Sequence, residues 1–393
     1  MHKILVITPR FPLPDAGACE KDRLSGIKQL KRLGFDVRIL AKVFDFQPKD
    51  EIEKFSQDFG THVNLLPYEN KLGLRKILNP FYWDGAAYEY ASSVTKKALI
   101  KILDEFGPDL VWVDYTYLWP LYGILRRRKI PIITRSINFE PWHFLQEDGY
   151  SPLNIIKSLS KLLSEIITIH KSDFLFAITR KEEKIYRLLG ARNTVTLPLR
   201  GLPVCLKNEH QIKNKEILNV FFAGSTYSVS HNKKALELIL KNIAPAALQK
   251  YPGRFIFHIT GRKFPEDFKP FLGKFAVYHG TINRWEEFLE DMDIAVVPSL
   301  YGAGMQQKIF EPMCRGIPTV ASSRGLAEYP FKNEEHLLLA KTPNDFVNAL
   351  IKLLDTNFRK KLSENSINLS KKLFSQEILD LTVLSVLNKL CAR

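Results

Sequence analysis

The stretch "YGAGMQQKIFEPMCRGIPTVASS", from Tyr301 to Ser323, contains a glycine turn, a helical pattern and an apolar strand pattern in that order. The apolar run "MDIAVVPS" that precedes it has the composition of a buried strand. We predict that Gly302 and Gly304 form the turn and that the helix begins near Met305. Unpaired backbone N–H groups at such a helix start attract anions, so a diphosphate fits this turn.

Two charged side chains follow on the predicted helix. Lys308 and Glu311 are three residues apart, so they lie near the same face. Lys308 can add positive charge beside a phosphate, and Glu311 can accept hydrogen bonds from two sugar hydroxyls, which suits a ribose. An ordinary strand-to-helix turn with a solvated Lys–Glu pair explains the spacing equally well, and the residues alone leave both interpretations open.

Strand-to-helix units of this kind recur along the chain. Apolar runs such as "KILVIT" (3–8), "DLVWVD" (109–114) and "LNVFFAGS" (218–225) alternate with amphipathic helical patterns. Continuous apolar strands predict an α/β fold with parallel sheets that are covered on both faces. The Lys- and Asn-rich segment 201–216 interrupts the series.

The interruption predicts two doubly wound, Rossmann-like domains facing across a ligand cleft at the carboxyl ends of the strands. We predict a first domain over residues 1–203 and a second domain, which contains the turn with Lys308 and Glu311, over residues 204–371. A terminal helix over about residues 372–393 can pack back on the first domain.

Composition restricts the class of protein. The chain has 393 residues and a formal net charge of +15, and its four cysteines are widely scattered without a C-x-x-C pair. We therefore expect free thiols and no metal site. The amino-terminal apolar run is too short for a signal peptide, and no run approaches the roughly 20 apolar residues of a membrane span. A cytoplasmic protein is expected, with a peripheral position on the inner face of a membrane as an alternative.

The net positive charge gives information about the binding partners of the protein and not about its fold. Nucleic acid, anionic lipid and phosphorylated substrates all fit it, but no nucleic-acid-binding motif accompanies the charge, so no nucleic-acid partner is expected. The densest basic cluster is "RRRK" from Arg126 to Lys129, which a solvated helix end also explains.

The stretch 302–323 resembles the nucleotide-sugar motif of glycosyltransferase family 4, G-x-G-x-x-x-K-x-x-E-A-M-A-x-G-x-P-V-V. The matching residues are Gly302, Gly304, Lys308, Glu311, Met313, Gly316 and Pro318. The resemblance implies a GT-B fold, a ribose contact from Glu311, a diphosphate contact from the backbone between Gly302 and Met305, and support from Lys308. Many members carry a glutamate eight positions before Glu311, where this chain has Ala303.

Other segments extend the resemblance. It implies that the nucleotide sugar is also contacted at strand ends and turns; the matching positions are Gly17, Gly224, Ser225, Asn232, Gly261, Arg262, His279 and Gly280. For His279, a buried structural histidine is the alternative interpretation. Among the paired glycines usual near the amino terminus, the chain keeps Gly17 and has Ala18.

The first half contains two candidate catalytic carboxylates. "ITRSINFEPWHF" (133–144) resembles a branch motif R-x-H-N-x-E, with Arg135, Asn138 and Glu140 matching and Ile137 in place of the histidine. Glu140 can face donor or acceptor, and a buried polar network is the alternative. Asp114 ends a predicted strand, where it can orient an acceptor hydroxyl or be a plain loop carboxylate.

The helical pattern "PLNIIKSLSKLLSEIITIH" (152–170) collects its apolar residues on one side. We expect that side to face the core, because most amphipathic helices bury their apolar side. With Lys157, Lys161 and Lys171 nearby, a helix lying on a membrane surface is the alternative.

The family resemblance, taken with these residues, implies a retaining, metal-independent glycosyltransferase of the hexosyltransferase class, without a separate cofactor. Its donor is expected to be a UDP- or GDP-sugar and its acceptor a glycan or a lipid-linked molecule. Two alternatives stay open: a nucleotide-sugar epimerase of GT-B fold, and a non-catalytic basic protein that binds polyanions.

Overall fold

The structure is a computed structural model that describes residues 2–15, 17–68, 83–299 and 304–391. The chain forms two compact units. The first comprises residues 1–201 and 379–393, and the second comprises residues 202–378. Each unit has its own sheet.

The described part of the first unit contains a seven-stranded sheet in the order β3-β2-β1-β4-β5-β6-β7, with every pair parallel. Its strands are β1 (Lys3–Arg10), β2 (Asp36–Val43), β3 (His62–Pro67), β4 (Leu110–Asp114), β5 (Ile132–Arg135), β6 (Phe174–Ala177) and β7 (Thr194–Thr196). Its helices are α1 (Ala18–Arg32), α2 (Lys49–Asp58), α3 (Gly85–Tyr90), α4 (Ser93–Phe106), α5 (Tyr122–Arg127), α6 (Glu140–Asp148), α7 (Pro152–Lys171) and α8 (Arg180–Leu188).

Both faces of this sheet are covered, which explains the continuous apolar strands. Along β1, Ile4 and Val6 belong to one buried cluster, whereas Leu5 and Ile7 belong to another. Successive side chains of a strand point to opposite faces, so each face needs its own apolar residues. The chain's last helix adds Leu379, Val383, Val386, Leu387 and Leu390 to the first of these clusters.

The described part of the second unit contains a six-stranded parallel sheet in the order β10-β9-β8-β11-β12-β13. Its strands are β8 (Leu218–Thr226), β9 (Phe255–Arg262), β10 (Val277–Tyr278), β11 (Ile294–Val297), β12 (Thr319–Ala321) and β13 (Leu338–Leu339). The helices that follow unit one in the chain are α9 (Leu202–Cys205), α10 (Ser230–Leu238), α11 (Ala244–Lys250), α12 (Trp285–Glu290), α13 (Gln307–Arg315), α14 (Pro343–Lys352), α15 (Thr356–Phe374) and α16 (Gln376–Cys391).

The strand orders place a candidate site in each unit. In the first sheet, β1 lies between β2 and β4; in the second, β8 lies between β9 and β11. At such a point the connections run in opposite directions, and ligands of open α/β sheets bind beyond the carboxyl ends of these strands. The prediction of two doubly wound α/β units is confirmed.

Helix α13 begins at Gln307, close to the predicted start near Met305, and Lys308 is its second residue. The predicted orientation of α7 is wrong for the first half of that helix. The buried residues of α7 are mostly polar: Ser158, Ser160, Ser164, Glu165 and Thr168, together with Ile169. The apolar side of the first half of α7 is exposed instead, because the inner side chains hydrogen-bond to the protein interior.

Candidate functional site

The turn before α13 is described only in part. Gly302 and Ala303 lie outside the described residues, so the structure gives no geometry for that part of the expected diphosphate cradle. Gly304 has a left-handed backbone with φ 70°, and Met305 is buried. At the other end of α13, Gly316 has φ 77°, and an added Cβ would meet the Ile367 Cδ1 and Ser363 Oγ atoms at 2.5 Å. Glycine is therefore required at position 316.

Lys308 lies in the first turn of α13 and reaches the first turn of α10. Its Nζ donates to the Oδ1 of Asn232 at 2.8 Å and lies 5.6 Å from the centre of the Phe222 ring. Asn232 is buried and donates from Nδ2 to Ser225 Oγ at 3.3 Å and to the Thr226 carbonyl at 3.0 Å. Three residues that sequence motifs singled out separately, Ser225, Asn232 and Lys308, thus form one connected group.

Glu311 is held by three donors. It is only 7% exposed, and its Oε1 accepts from Trp285 Nε1 at 2.8 Å, while its Oε2 accepts from Gln307 Nε2 at 2.9 Å. Arg315 Nη2 lies 3.4 Å from Oε1 and also donates to Glu286 at 2.7 Å. This carboxylate is fixed in orientation, with charge-assisted bonds on both oxygens.

The three donors to Glu311 were not predicted from the sequence. Gln307 and Arg315 are each four residues from Glu311 on the helix, a spacing that could have indicated contact. Trp285 carries no such signal, because it comes from α12 and is separated from Glu311 by 26 residues of chain.

Three predicted glycines meet at the carboxyl ends of β8, β9 and β10. Gly261 has φ 133°, and an added Cβ would lie 2.2 Å from the Gly224 carbonyl oxygen. The Gly261 N–H donates to the Gly280 carbonyl at 2.8 Å. Only glycine permits this approach of two backbones. Arg262, at the end of β9, is exposed.

His279 has a structural partner. Its ring stacks on His258 with centroids 5.1 Å apart, and His279 Nε2 lies 2.9 Å from His258 Nδ1. Burial lowers the pKa of both rings, that of His258 to about 4, where the neighbouring His279 contributes further. Both are therefore neutral near pH 7. Phe288 contacts His279 edge-on and stacks on Trp285 at 5.4 Å, which links this aromatic group to Glu311.

In the first unit, Asp114 lies in a buried ion cluster. Its Oδ1 accepts from Trp112 Nε1 at 2.9 Å and lies 3.7 Å from Arg200. Asp22 joins Arg200 at 2.9 Å and Arg135 at 3.4 Å; these two cations hold the pKa of Asp22 below its usual range although burial alone would raise it. Burial raises the pKa of Asp114. At 1% exposure, Asp114 is placed to balance arginines, which does not support the expected contact with an acceptor hydroxyl.

Glu140 is the more accessible of the two predicted catalytic carboxylates. One oxygen, Oε2, lies 3.9 Å from Lys161 Nζ, and Oε1 has no hydrogen-bond partner among the described residues. Asn138, two residues earlier, donates to Tyr115 Oη at 3.3 Å. Arg135, the first residue of the same motif, is fully buried and donates to carbonyls of residues 177 and 198. The motif therefore divides into a structural arginine and a partly unsatisfied glutamate.

Backbone strain marks the same edge of the first sheet. Tyr115, directly after β4, has φ 101°, a conformation that costs a non-glycine residue about 1–3 kcal/mol. The Arg23 guanidinium lies 5.2 Å from its ring centre, and the Nε of Arg23 has no hydrogen-bond partner within the described residues. Gly17 directly precedes α1, and its carbonyl accepts a hydrogen bond from the Lys21 N–H.

Among the described helices, none combines the length and the apolar composition that a membrane-spanning helix requires. No group of three or more His, Cys, Asp and Glu side chains among the described residues could hold a metal ion.

Comparison with known proteins agrees with the site's motifs. Residues 218–356, which contain the Lys308–Asn232 and Glu311–Trp285 contacts, match the family model described as Glycosyl transferases group 1. The resemblance of this segment to glycosyltransferases is thereby confirmed, at the level of this broader group. A comparison with curated proteins found no match.

Solved structures share the whole architecture. Sucrose-phosphate synthase from Thermosynechococcus elongatus has a TM-score of 0.71 and 17% identity, with all of both chains covered. HepE from Anabaena, in complex with UDP and glucose, has a TM-score of 0.65 and 14% identity, covering 99% of this chain and all of that chain. A TarM variant from S. aureus, in complex with Fondaparinux, alpha-GlcNAc-glycerol and UDP, has a TM-score of 0.66 and 11% identity, with both chains fully covered. The fold is that of the GT-B glycosyltransferases.

Proposed function

We propose that this protein transfers a sugar from a nucleotide-sugar donor to an acceptor. The observation that carries the proposal is the fixed carboxylate of Glu311 beside Lys308 at the start of α13, in the segment that matches the glycosyltransferase model. A ribose offers two adjacent hydroxyls, and a carboxylate with a set orientation can accept from both. The supports from Trp285 and Gln307 reduce the cost of ordering Glu311 when a ligand binds.

In this proposal, Lys308 supplies positive charge to the diphosphate. A lysine in the first turn of a helix adds to the partial positive charge of the helix start. Both act on the negative charge that develops on the leaving nucleoside diphosphate when the glycosidic bond forms. Asn232, which holds Lys308 Nζ at 2.8 Å, would keep this ammonium in place. The nucleotide sugar is a substrate, and no separate cofactor or metal is part of the proposal.

The finer assignments are also proposals. Two of the solved relatives are described in complex with UDP, which favours a UDP-sugar over a GDP-sugar as donor. Retention of the anomeric configuration follows from the family resemblance. The acceptor is proposed to be a glycan or a lipid-linked molecule, and Glu140, with its unpartnered Oε1, is the described carboxylate that best fits acceptor contact.

Calorimetry with UDP, GDP and UDP-glucose tests the proposal. We expect one nucleoside diphosphate to bind the wild-type protein and Glu311→Gln to weaken that binding by about 1.5–3 kcal/mol, as the loss of hydrogen bonds to a charged group does. Glu237→Gln is the matched control, because Glu237 forms an exposed pair with Lys241 on the same unit. Absence of binding by all three ligands, or equal affinities of the wild type and Glu311→Gln, would remove the basis of the proposal.

A product assay separates the enzyme classes. With UDP-glucose and an acceptor mixture, we expect UDP release that depends on the acceptor. An epimerised nucleotide sugar formed without acceptor would indicate the epimerase alternative. Nucleotide binding without either product would indicate a non-catalytic protein.

A further inference from the structure

Six large apolar side chains lie exposed within 18 residues of the first unit. They are Trp142, Tyr150, Leu153, Ile155, Ile156 and Leu159, and we call them the α6–α7 face. Leu153 and Leu159 are each 60% exposed, and Tyr150 is 66% exposed. Single exposed apolar residues are ordinary, but a continuous group is typical of an interaction surface.

The orientation of α7 is fixed by its inner side. Glu165 accepts from Thr116 Oγ1 at 2.9 Å, Ser164 donates to Asp84 at 2.9 Å, and Thr168 donates to the Thr116 carbonyl at 2.9 Å. Rotating the helix to bury its leucines would break these hydrogen bonds. Thr116 and Asp84 would then lose these partners, and unpaired buried polar groups are costly. The apolar side of the first half of α7 therefore stays outside, where the described residues of the first unit leave Leu153, Ile156 and Leu159 exposed.

We propose that the α6–α7 face docks on an anionic lipid bilayer. The inference goes beyond the proposed sugar transfer and does not depend on it. A helix that lies in a bilayer interface presents aliphatic side chains to the acyl region, with Trp or Tyr and basic residues at its border. The α6–α7 face offers both kinds of residue: Trp142 and Tyr150 are exposed aromatic side chains, and Leu153, Ile156 and Leu159 are exposed aliphatic ones.

The charges around the α6–α7 face favour an anionic bilayer over a second copy of this chain as the binding partner. Helix α7 has one acidic residue, Glu165, and that residue is fully buried, so the exposed side of α7 carries no carboxylate. Lys157 is exposed on α7, and Lys181 Nζ lies 4.5 Å from the centre of the Trp142 ring. Glu147 and Asp148, at the end of α6, are the acidic residues in the stretch 142–159 that contains the α6–α7 face. A second copy of this chain would bring together two molecules of formal charge +15, whereas an anionic bilayer is attracted to that charge.

Cations elsewhere on the first unit fit a bilayer less well because they are paired with carboxylates. Arg126 is paired with Asp173 at 3.0 Å and donates to the Lys171 carbonyl, and Arg128 is paired with Asp104 at 2.5 Å. Lys161 is likewise paired with Asp84 at 3.3 Å. The α6–α7 face instead combines exposed apolar residues with Lys157 and Lys181.

Vesicle flotation of the full chain tests the proposal. We expect the protein to float with vesicles of phosphatidylcholine and phosphatidylglycerol in equal parts and to bind much less to phosphatidylcholine alone. The variant L153S/I156S/L159S should lower the vesicle partition coefficient at least about tenfold. Each substitution removes an apolar side chain that would otherwise be transferred from water into the bilayer. The variant V204S/I256S/L381S, which changes three other exposed apolar residues, should bind like the wild type.

The remaining outcomes are decisive. Unchanged binding of L153S/I156S/L159S, or an equal loss in the control variant, would overturn the proposal, as would failure of the wild type to bind either vesicle. A dimer in sedimentation that the first variant dissociates, without lipid binding, would show that a second copy covers the face. Thermal melts check that both variants fold, and calorimetry with UDP on both keeps a failure of this proposal distinct from a failure of the proposed sugar transfer.

Discussion

The indole N–H of Trp285 donates to the carboxylate of Glu311 at 2.8 Å and joins two helices of the second unit. Through Phe288, which stacks on Trp285, the same contact extends to His279 at the carboxyl end of β10. The carboxylate assigned to the ribose and the histidine assigned to the nucleotide are thus part of one packed group, whose rigidity can be tested one bond at a time.

Trp285→Phe should weaken binding of the nucleoside diphosphate. The substitution keeps an aromatic ring beside Phe288 and removes only the donor to Glu311, so the carboxylate loses one of its fixed bonds. We expect a loss of about 1 kcal/mol in binding free energy, or roughly fivefold in affinity, measured by calorimetry. Trp119→Phe removes an equivalent indole donor, the one to Ser164 in the first unit, and should leave affinity unchanged. Equal affinity of wild type and Trp285→Phe would mean that Trp285 does not position Glu311.

Lys308→Met should affect the diphosphate and spare the nucleoside. The methionine preserves the length of the side chain over Phe222 and removes the charge near the helix start. We expect affinity for UDP to fall by about 1.5–3 kcal/mol while affinity for uridine stays the same. Lys241→Met, at an exposed lysine paired with Glu237, serves as control. A parallel loss for UDP and uridine would place Lys308 away from the phosphates.

Sugar transfer should persist in excess chelator. In the proposed mechanism, helix-start amides and Lys308 meet the charge of the leaving diphosphate, so a divalent cation is not needed. The measurement is UDP release from UDP-glucose with acceptor, with and without chelator. Activity lost in chelator and restored by magnesium or manganese would assign the charge stabilisation to a metal.

Two buried carboxyls should make stability depend on pH. Burial raises the pKa of Glu165 from the ordinary 4.5 to about 8 and that of Glu182 to about 7. The folded state therefore holds these protons more tightly than the unfolded state, and their favourable contribution is complete below the ordinary pKa. It is lost as pH rises toward the folded-state values. The melting temperature should therefore decrease as the pH rises from about 4.5 to about 8.

Variants isolate this effect from other titrations. Glu165→Gln should show a smaller fall in melting temperature over that pH interval than the wild type, because glutamine does not ionise. Glu53→Gln, at an exposed position, should follow the wild type. If Glu165→Gln and the wild type have parallel pH profiles, Glu165 is ionised in the folded protein across the interval.

The sequence predicted the architecture from local patterns. Continuous apolar strands between amphipathic helices indicated parallel sheets, and the structure shows why: adjacent residues such as Leu5 and Val6 belong to buried clusters on opposite faces. The motif around Lys308 and Glu311 was visible for the same reason, since glycine turns and helix starts are set by residues close in sequence.

Burial of individual polar residues was not predictable in this way. Asp114 ends a strand, as expected of a site residue, yet it is enclosed with Trp112 and Arg200. The orientation of the first half of α7 was predicted wrongly, because its apolar side is more extensive than its polar side. The inward direction is decided by Asp84, Thr116 and Tyr186, which pair with the polar side from other elements.

By itself, therefore, the amino-acid sequence determined the order of strands and helices, the parallel α/β class and the positions of Lys308 and Glu311 after a glycine-containing turn. Each depends on interactions within a few residues, which periodicity and turn chemistry encode directly. Tertiary structure alone decided that Trp285 contacts Glu311, that Asn232 holds Lys308 and that Leu153 and Leu159 of α7 face outward. These pairings join residues far apart in the chain, and their free energies arise from packing and desolvation that exist only once the chain is folded.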